Sequence, residues 1–388
     1  MSSTDMTSSD ITSTGFNQRL STRLAFLAAG TLMSAWAPLV PYAKTRMALD
    51  EAQLGLLLLC LGVGSITAMP ITGVLASRFG CRSVILLSGI LTCLILPLLA
   101  FAPSPWVLAV SLFLFGAAIG TLDVAMNIQA VIVEKNEGRT LMSGFHALFS
   151  VGGFVGAGGM ALLLWAGIGT LLACVIISAL IAIVLYIAAP HLLRNPSTAD
   201  RNSSLFVMPR GAVILIGVLC FIVFLAEGAI LDWSAVLLTT SGFATNYGGL
   251  GYAAFAVAMT IGRLTGDRIV HRWGGQRVLF FGGLFAAIGF FTTVFTGSPM
   301  VTLLGFVLIG LGASNIVPVL FTAAGNQHDM PAGLAISAVT TIGYAGILAG
   351  PALIGFVAHL SSLQFSFAVL GGTLLLVMAS SKHVVRKL

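Results

Sequence analysis

The sequence predicts an all-α membrane protein of twelve transmembrane helices arranged as two six-helix bundles. Three observations carry that prediction: the composition, the spacing of the apolar runs, and a repeat at half the chain length. Of 388 residues, 58% are hydrophobic and only 8% charged, with a mean hydropathy of +1.05. A soluble domain carries about 25% charged residues. Apolar stretches near 20 residues recur, long enough to cross a hydrocarbon core about 30 Å thick. The short alternating strands of a membrane β-barrel are absent.

Breaks at charges, Pro and Gly place the spans in order. A Ser/Thr-rich segment, residues 1–18, reads as a disordered cytoplasmic tail. Span one, 22–43, follows Arg19 and Arg23 and stops before Lys44. Spans two and three, 52–76 and 83–102, flank a basic turn around Arg78 and Arg82. Pro103 and Pro105 open span four, 106–132, and Glu134 to Arg139 separate it from span five, 140–165. Gly167 precedes span six, 168–189. After a polar linker come spans seven to twelve, at 211–240, 247–270, 277–296, 300–323, 332–357 and 363–381. Arg19, Arg23, a short apolar run and Ala35-Trp36-Ala37 also mimic a cleavable signal peptide. That alternative is set aside because this segment is the repeat partner of span seven.

The net charge of +6 is topological in origin. With the N-terminus inside, every Lys and Arg except Lys44 and Arg46 falls on cytoplasmic loops, tails or helix ends. This is the positive-inside pattern, and it predicts both termini in the cytoplasm and no nucleic-acid partner. The five cysteines are expected as free thiols.

Sliding the chain along itself by 194 residues aligns its halves without a gap. Phe101-Ala-Pro-Ser104-Pro105-Trp-Val107 meets Phe295-Thr-Gly-Ser298-Pro299-Met-Val301. Arg78 pairs with Arg272, Gly80 with Gly274, Gly116 with Gly310, Ser143 with Ser337, Gly152 with Gly346, and Gly156 with Gly350. Apolar composition alone does not produce matched Ser-Pro and Arg-x-Gly loops. Six spans per half give parallel repeats related by an axis along the membrane normal. The bundles are expected at 19–190 and 211–388, joined by a cytoplasmic linker at 191–210.

At this level the chain resembles the major facilitator superfamily over nearly its whole length. The turn "GVLASRFGCR", Gly73 to Arg82, is similar to the family's G-x-x-x-D-R-x-G-x-R signature, with "GDRIVHRWGGQR", Gly266 to Arg277, as its second copy. The resemblance implies a conformational latch at Gly73, Arg78, Gly80, Arg82 and Arg272. The signature's Asp is Ser77 in one copy and His271 in the other, which leaves Asp267 as the substitute carboxylate. Plain orientation signalling is the simpler account of most of these basic residues. "AEG" and "DW" within Glu227 to Trp233, "DVAMN" at Asp123 to Asn127, and "SGFHALFSVGGFVGAG" resemble a subgroup of bacterial inner-membrane members.

Only Asp123, Glu227 and Asp232 among the twelve acidic residues fall well within apolar spans. An ionised Asp at a helix centre costs about 2.5–3.5 kcal/mol on insertion scales, so such groups face a cavity or a partner. Proton uptake removes that cost, which is the property a proton-coupled transporter needs. Asp123 and Asn127 share one face of span four, and His146 on span five is level with Asn127. This trio is either a solute and proton site or an interhelical hydrogen-bond group. Glu227 and Asp232 stand about 140° apart around span seven. Glu227 is expected at the central cavity, with Gly228 permitting local unwinding, and Asp232 either at the periplasmic mouth or bonded to a neighbouring helix. Trp36 and Trp233 read as interfacial anchors or as stacking platforms for a solute. Arg263 is expected to snorkel to the cytoplasmic side.

Glycine stripes in spans five and eleven suit close helix packing. No metal-ligand cluster, nucleophile with its base, or phosphate-binding loop is present, so neither a cofactor nor a metal nor an enzymatic activity is expected. The resulting expectation is a monomeric secondary transporter in the lipid bilayer of the bacterial inner membrane, moving a small solute with protons. A drug-type proton antiporter and a solute receptor that does not transport are the alternatives.

Overall fold

The computed structural model describes residues 8–194, 208–240, 242, 249–295 and 298–385. Most of the linker expected at 191–210 lies outside them. Every regular element among the described residues is helical. Contacts divide the chain into two compact units, residues 1–139 with 148–205, and residues 140–147 with 206–388.

The first unit opens with α1, Ser8–Ala35, which takes in residues read from sequence as tail. Arg19 Nε lies 3.5 Å from Glu137 Oε1 and Gly15 sits against the same carboxylate, so this end has a docking point on the following helices. Pro38 and Pro41 interrupt the span: a 3₁₀ turn, Ala37–Leu39, leads into α2, Val40–Met47. Helix α3, Glu51–Phe101, has 51 residues, about 75 Å if straight and far more than one membrane crossing. Its backbone leaves the helical region at Gly80, φ 78° and ψ 152°, so it comprises two spans joined at that residue. Its start carries a reciprocal cap, Gln53 N donating to Asp50 Oδ1 at 2.7 Å and Asp50 N to Gln53 Oε1 at 3.2 Å. Its last turn is capped by Arg46, which donates to the carbonyls of Leu99, at 3.1 Å, and Ala100. One of the two cations that depart from the positive-inside pattern thus binds orphan carbonyls at a helix end. Helices α4, Pro105–Glu137, α5, Met142–Trp165, and α6, Thr170–Ala188, follow; the first turns of α5 group with the second unit.

The second unit contains α7, Ala212–Thr240, α8, Leu250–Trp273, and α9, Gly275–Phe295. Asp329 Oδ2 accepts from Ala212 N at 2.6 Å and so caps the start of α7. The tenth span is broken into α10, Pro299–Ala313, and α11, Ile316–Asn326, before α12, Ala332–Leu360, and α13, Leu363–Val385. The unwinding expected at Gly228 does not occur, because α7 runs through it without interruption. The break lies at Ser314–Asn315, where Asn315 takes φ −108° and ψ 0°.

Ten of the described helices are long and apolar enough to cross a membrane. Helix α8 is not one of them, since Arg263 and Asp267 dilute its hydropathy. Large apolar side chains such as Leu87, Phe101, Trp106 and Leu360 are exposed, a surface suited to lipid. All five cysteines are free thiols.

The internal repeat extends to backbone packing. A Cβ on Gly116 would overlap the Leu61 carbonyl, and one on Gly310 would overlap the Phe255 carbonyl, the same pair displaced by 194 residues. Gly152 stands against Leu27 O as Gly346 stands against Phe221 O, again 194 apart. Gly274 repeats the Gly80 conformation with φ 77° and ψ 152°. Helix pairs in hydrocarbon gain little from water exclusion, so close backbone approach at glycine is what joins them.

Candidate functional site

A buried polar cluster occupies the second unit where α7, α8 and the broken tenth span meet. The interruption at Ser314–Asn315 leaves the Ser314 carbonyl outside a regular helical ladder, and Arg263 Nε donates to it at 3.3 Å. Arg263 Nη2 lies 3.6 Å from Glu227 Oε1. Arg263 is 7% exposed, so it does not snorkel. Glu227 supplies a counter-charge and the helix break supplies an acceptor, which together replace the solvent the guanidinium would otherwise seek. The Asn315 amide fixes the break by donating to Gly262 O and Ser314 Oγ, both at 3.0 Å. Gly262 and Gly266 let α8 approach this region: a side chain at either would strike Ser314 or Asn315. Two buried oxygens, Glu227 Oε1 and Asn315 Oδ1, have no hydrogen-bond partner among the described residues.

His146, from the first turns of α5, belongs to this unit. Its ring stands 5.7 Å from Phe321 of α11, tilted by 49°, within Coulombic range of Arg263. Nearer the end of α8, Asp267 Oδ1 accepts from Gly144 N at 3.0 Å, while Thr140 Oγ1 donates to Asp267 O at 2.8 Å. A carboxylate therefore binds a first-turn N–H of α5, the group a helix N-terminus leaves unsatisfied. Arg272 is exposed, five residues beyond Asp267 on α8.

In the first unit, Asp123 and Asn127 lie buried on one face of α4, with Asn127 Nδ2 donating to Asp123 O at 2.9 Å. Gln129, unranked from sequence, bridges Thr22 Oγ1 at 3.3 Å and Leu193 N at 3.1 Å. Within the basic turn, Gly73 and Gly80 are buried and Arg78 is exposed. Arg82 N donates to Leu193 O at 2.9 Å, and Gly80 fits closely over the Arg194 carbonyl.

Asp232 is exposed on α7, away from the Arg263 pair, consistent with its angular separation from Glu227. Trp36 is 5% exposed and buried rather than displayed to an interface. Trp233 is half-buried with its ring close to Gly355 of α12. Sequence reasoning missed the Glu227–Arg263 pair and the Ser314–Asn315 break. The available signal was a permanent cation well inside α8 and a Ser-Asn dipeptide between apolar runs of one span. Among the described residues no group of three or more His, Cys, Asp or Glu is placed to hold a metal ion.

A family model for the Major Facilitator Superfamily matches residues 23–332. The chain belongs to the major facilitator superfamily (MFS). A Yersinia pestis protein described as an uncharacterized MFS-type transporter is 57% identical over 373 residues, 96% of this chain and 97% of that one. The E. coli fucose:proton symporter FucP is similar with a TM-score of 0.75 at 18% identity, covering 95% of this chain and 98% of its own. The proton:xylose symporter XylE is similar with a TM-score of 0.76 at 16% identity, covering 95% of each chain. At these identities the two structures speak for the fold alone. As an MFS member the chain is an integral membrane transporter and not an enzyme.

Proposed function

We propose that this MFS transporter moves a small polar or amphipathic solute by proton-coupled alternating access. It would work as a monomer in a bacterial inner membrane, with both termini cytoplasmic. The observation that carries the reading is the buried Glu227–Arg263 pair beside the broken tenth span. A carboxylate set against a permanent cation can exchange that partner for a proton, and interrupted helices are where transporters present polar groups to a solute. FucP and XylE, similar in fold, are themselves described as proton symporters.

In this reading the bundles 19–190 and 211–388 rock about a central site, with 191–210 as their tether. Glu227 is the principal coupling group; Asp123 is a second carboxylate, with Asn127 and His146 as polar contacts for the solute. Asp232 and Trp233 stand at the periplasmic mouth, and Trp36 with Trp233 are the stacking platforms for the solute. Gly73, Arg78, Gly80, Arg82 and Arg272 form the turns on which the conformations pivot, and Asp267 supplies the latch carboxylate.

The test is uptake into proteoliposomes under an imposed pH gradient, comparing wild type with Asp123→Asn and Glu227→Gln. Loss of pH-gradient dependence in at least one variant supports the reading. Transport with unchanged pH dependence in both removes it. A drug-type antiporter would instead extrude several unrelated cations, and a receptor would bind solute without counterflow.

A further inference from the structure

We propose that the outer face of α8 and α9, where they meet at Gly274, is a docking surface for one anionic glycerophospholipid. Arg268, Arg272 and Arg277 would receive its phosphate, and the apolar stripes below them its acyl chains. The surface belongs to the second unit and is independent of the solute reading.

Two stripes define it. On α8, Val257, Ile261, Leu264, Arg268 and Arg272 follow one another at intervals of three or four residues, which puts them on one face, and all five are exposed. On α9, Arg277, Phe281, Phe285 and Ile288 do the same. Each stripe is apolar along its length and ends in arginine beside the turn. From Arg277 to Ile288 the helix rises about 16 Å, close to one leaflet of a hydrocarbon core about 30 Å thick. Trp273 ties the two together: its ring stands 6.3 Å from that of Phe281, which in turn stands 6.2 Å from Phe285. An exposed Trp at the charged end of an apolar face marks the headgroup level.

The three arginines are uncommitted. None of them makes an ion pair or a side-chain hydrogen bond among the described residues. The carboxylate next to Arg268 in sequence, Asp267, is turned to Gly144 N instead. Guanidinium groups bind phosphate oxygens through paired N–H donors, and basic groups between membrane helices hold anionic headgroups in this way.

The internal repeat supplies a comparison within the chain. Positions matched to Arg268 and Arg277 are Val74 and Ser83, and those matched to Phe281 and Phe285 are Leu87 and Leu91. Plain orientation signalling and the shared helical plan therefore account for Arg78 and Arg272, which both copies carry, and not for the added arginines or the aromatic ladder. The first turn is also already covered: Arg82 N donates to Leu193 O, and a Cβ on Gly80 would strike the Arg194 carbonyl. Gly274 repeats the Gly80 conformation, yet no described residue lies within 4 Å of a Cβ placed there. The second turn thus has both the charge and the room for a headgroup.

The test is lipid binding by the purified full-length protein in mild detergent, titrated with phosphatidylglycerol or phosphatidylcholine and read by native mass spectrometry. Wild type should hold phosphatidylglycerol about fivefold or more tightly than phosphatidylcholine. Arg268→Gln with Arg277→Gln should lower phosphatidylglycerol affinity about tenfold and leave phosphatidylcholine unaffected. Arg139→Gln with Arg210→Gln removes the same charge from other exposed arginines and should keep wild-type affinity. Glycerol 1-phosphate, which has the headgroup chemistry without acyl chains, should not displace the lipid at equal concentration. If the first double variant is not recovered folded, Arg268→Gln and Arg277→Gln singly take its place, and each should lose affinity severalfold. No preference for phosphatidylglycerol in wild type, equal losses in the two double variants, or displacement by glycerol 1-phosphate overturns the proposal.

Discussion

Arg263 on α8 and Glu227 on α7 face each other across 3.6 Å inside the second unit, and the two partners differ in how they tolerate isolation. A lone carboxylate can take up a proton; a lone guanidinium cannot lose one. Glu227→Leu is therefore expected to destabilise more than Arg263→Leu, by about 1–3 kcal/mol for the former after allowing for the partial exposure of Glu227. The double Leu variant should recover much of the loss. Thermal melts of the four proteins in one detergent check this, and equal losses in the two single variants would count against it.

Asp267 holds Gly144 N and, through its backbone carbonyl, Thr140. Asp267→Ala removes an N-terminal acceptor from α5 and should cost about 1 kcal/mol. The change belongs to residues 140–147, so hydrogen–deuterium exchange should rise there and little elsewhere in the second unit. Asp267→Asn, which keeps an acceptor, should lie between wild type and alanine.

The matched glycines make a prediction in pairs. Gly116→Val and Gly310→Val each drive a side chain into a carbonyl of the neighbouring helix, Leu61 and Phe255 respectively. Each should reduce folded yield or stability by more than about 2 kcal/mol. Gly158→Ala, with nothing within 4 Å of the added carbon, should be close to neutral. A fluorescence-detected size-exclusion profile distinguishes these outcomes.

Gln129 fastens the start of the linker through Leu193 N while holding Thr22. Gln129→Leu should leave the helices folded and speed tryptic cleavage after Arg194 severalfold, read by timed digestion and mass spectrometry. An unchanged cleavage rate would assign Leu193 to its backbone bond with Arg82 alone.

The fold was legible because its signals are local and repeated. Apolar spans, charged turns and the 194-residue offset each follow from chain chemistry, and Ser104-Pro105 and Ser298-Pro299 mark helix starts wherever they occur. The site was legible only in its inventory. Asp123, Glu227 and Arg263 stood out as ionisable groups in apolar surroundings. Their partners did not, since a contact between α7 and α8 depends on how two helices are rotated, which no single span encodes.

Arg263 illustrates the division most directly. Sequence alone determined that a fixed positive charge sits within α8, that the chain is an all-helical membrane protein, and that its halves share one plan. Tertiary structure decided that this charge turns inward, because α7 brings Glu227 beside it and the Ser314–Asn315 break presents a carbonyl to it. It also decided that the helix interruption falls in the tenth span and not at Gly228, where packing leaves α7 continuous. Helical periodicity sets which face a residue occupies; only the packing of neighbouring helices sets what that face meets.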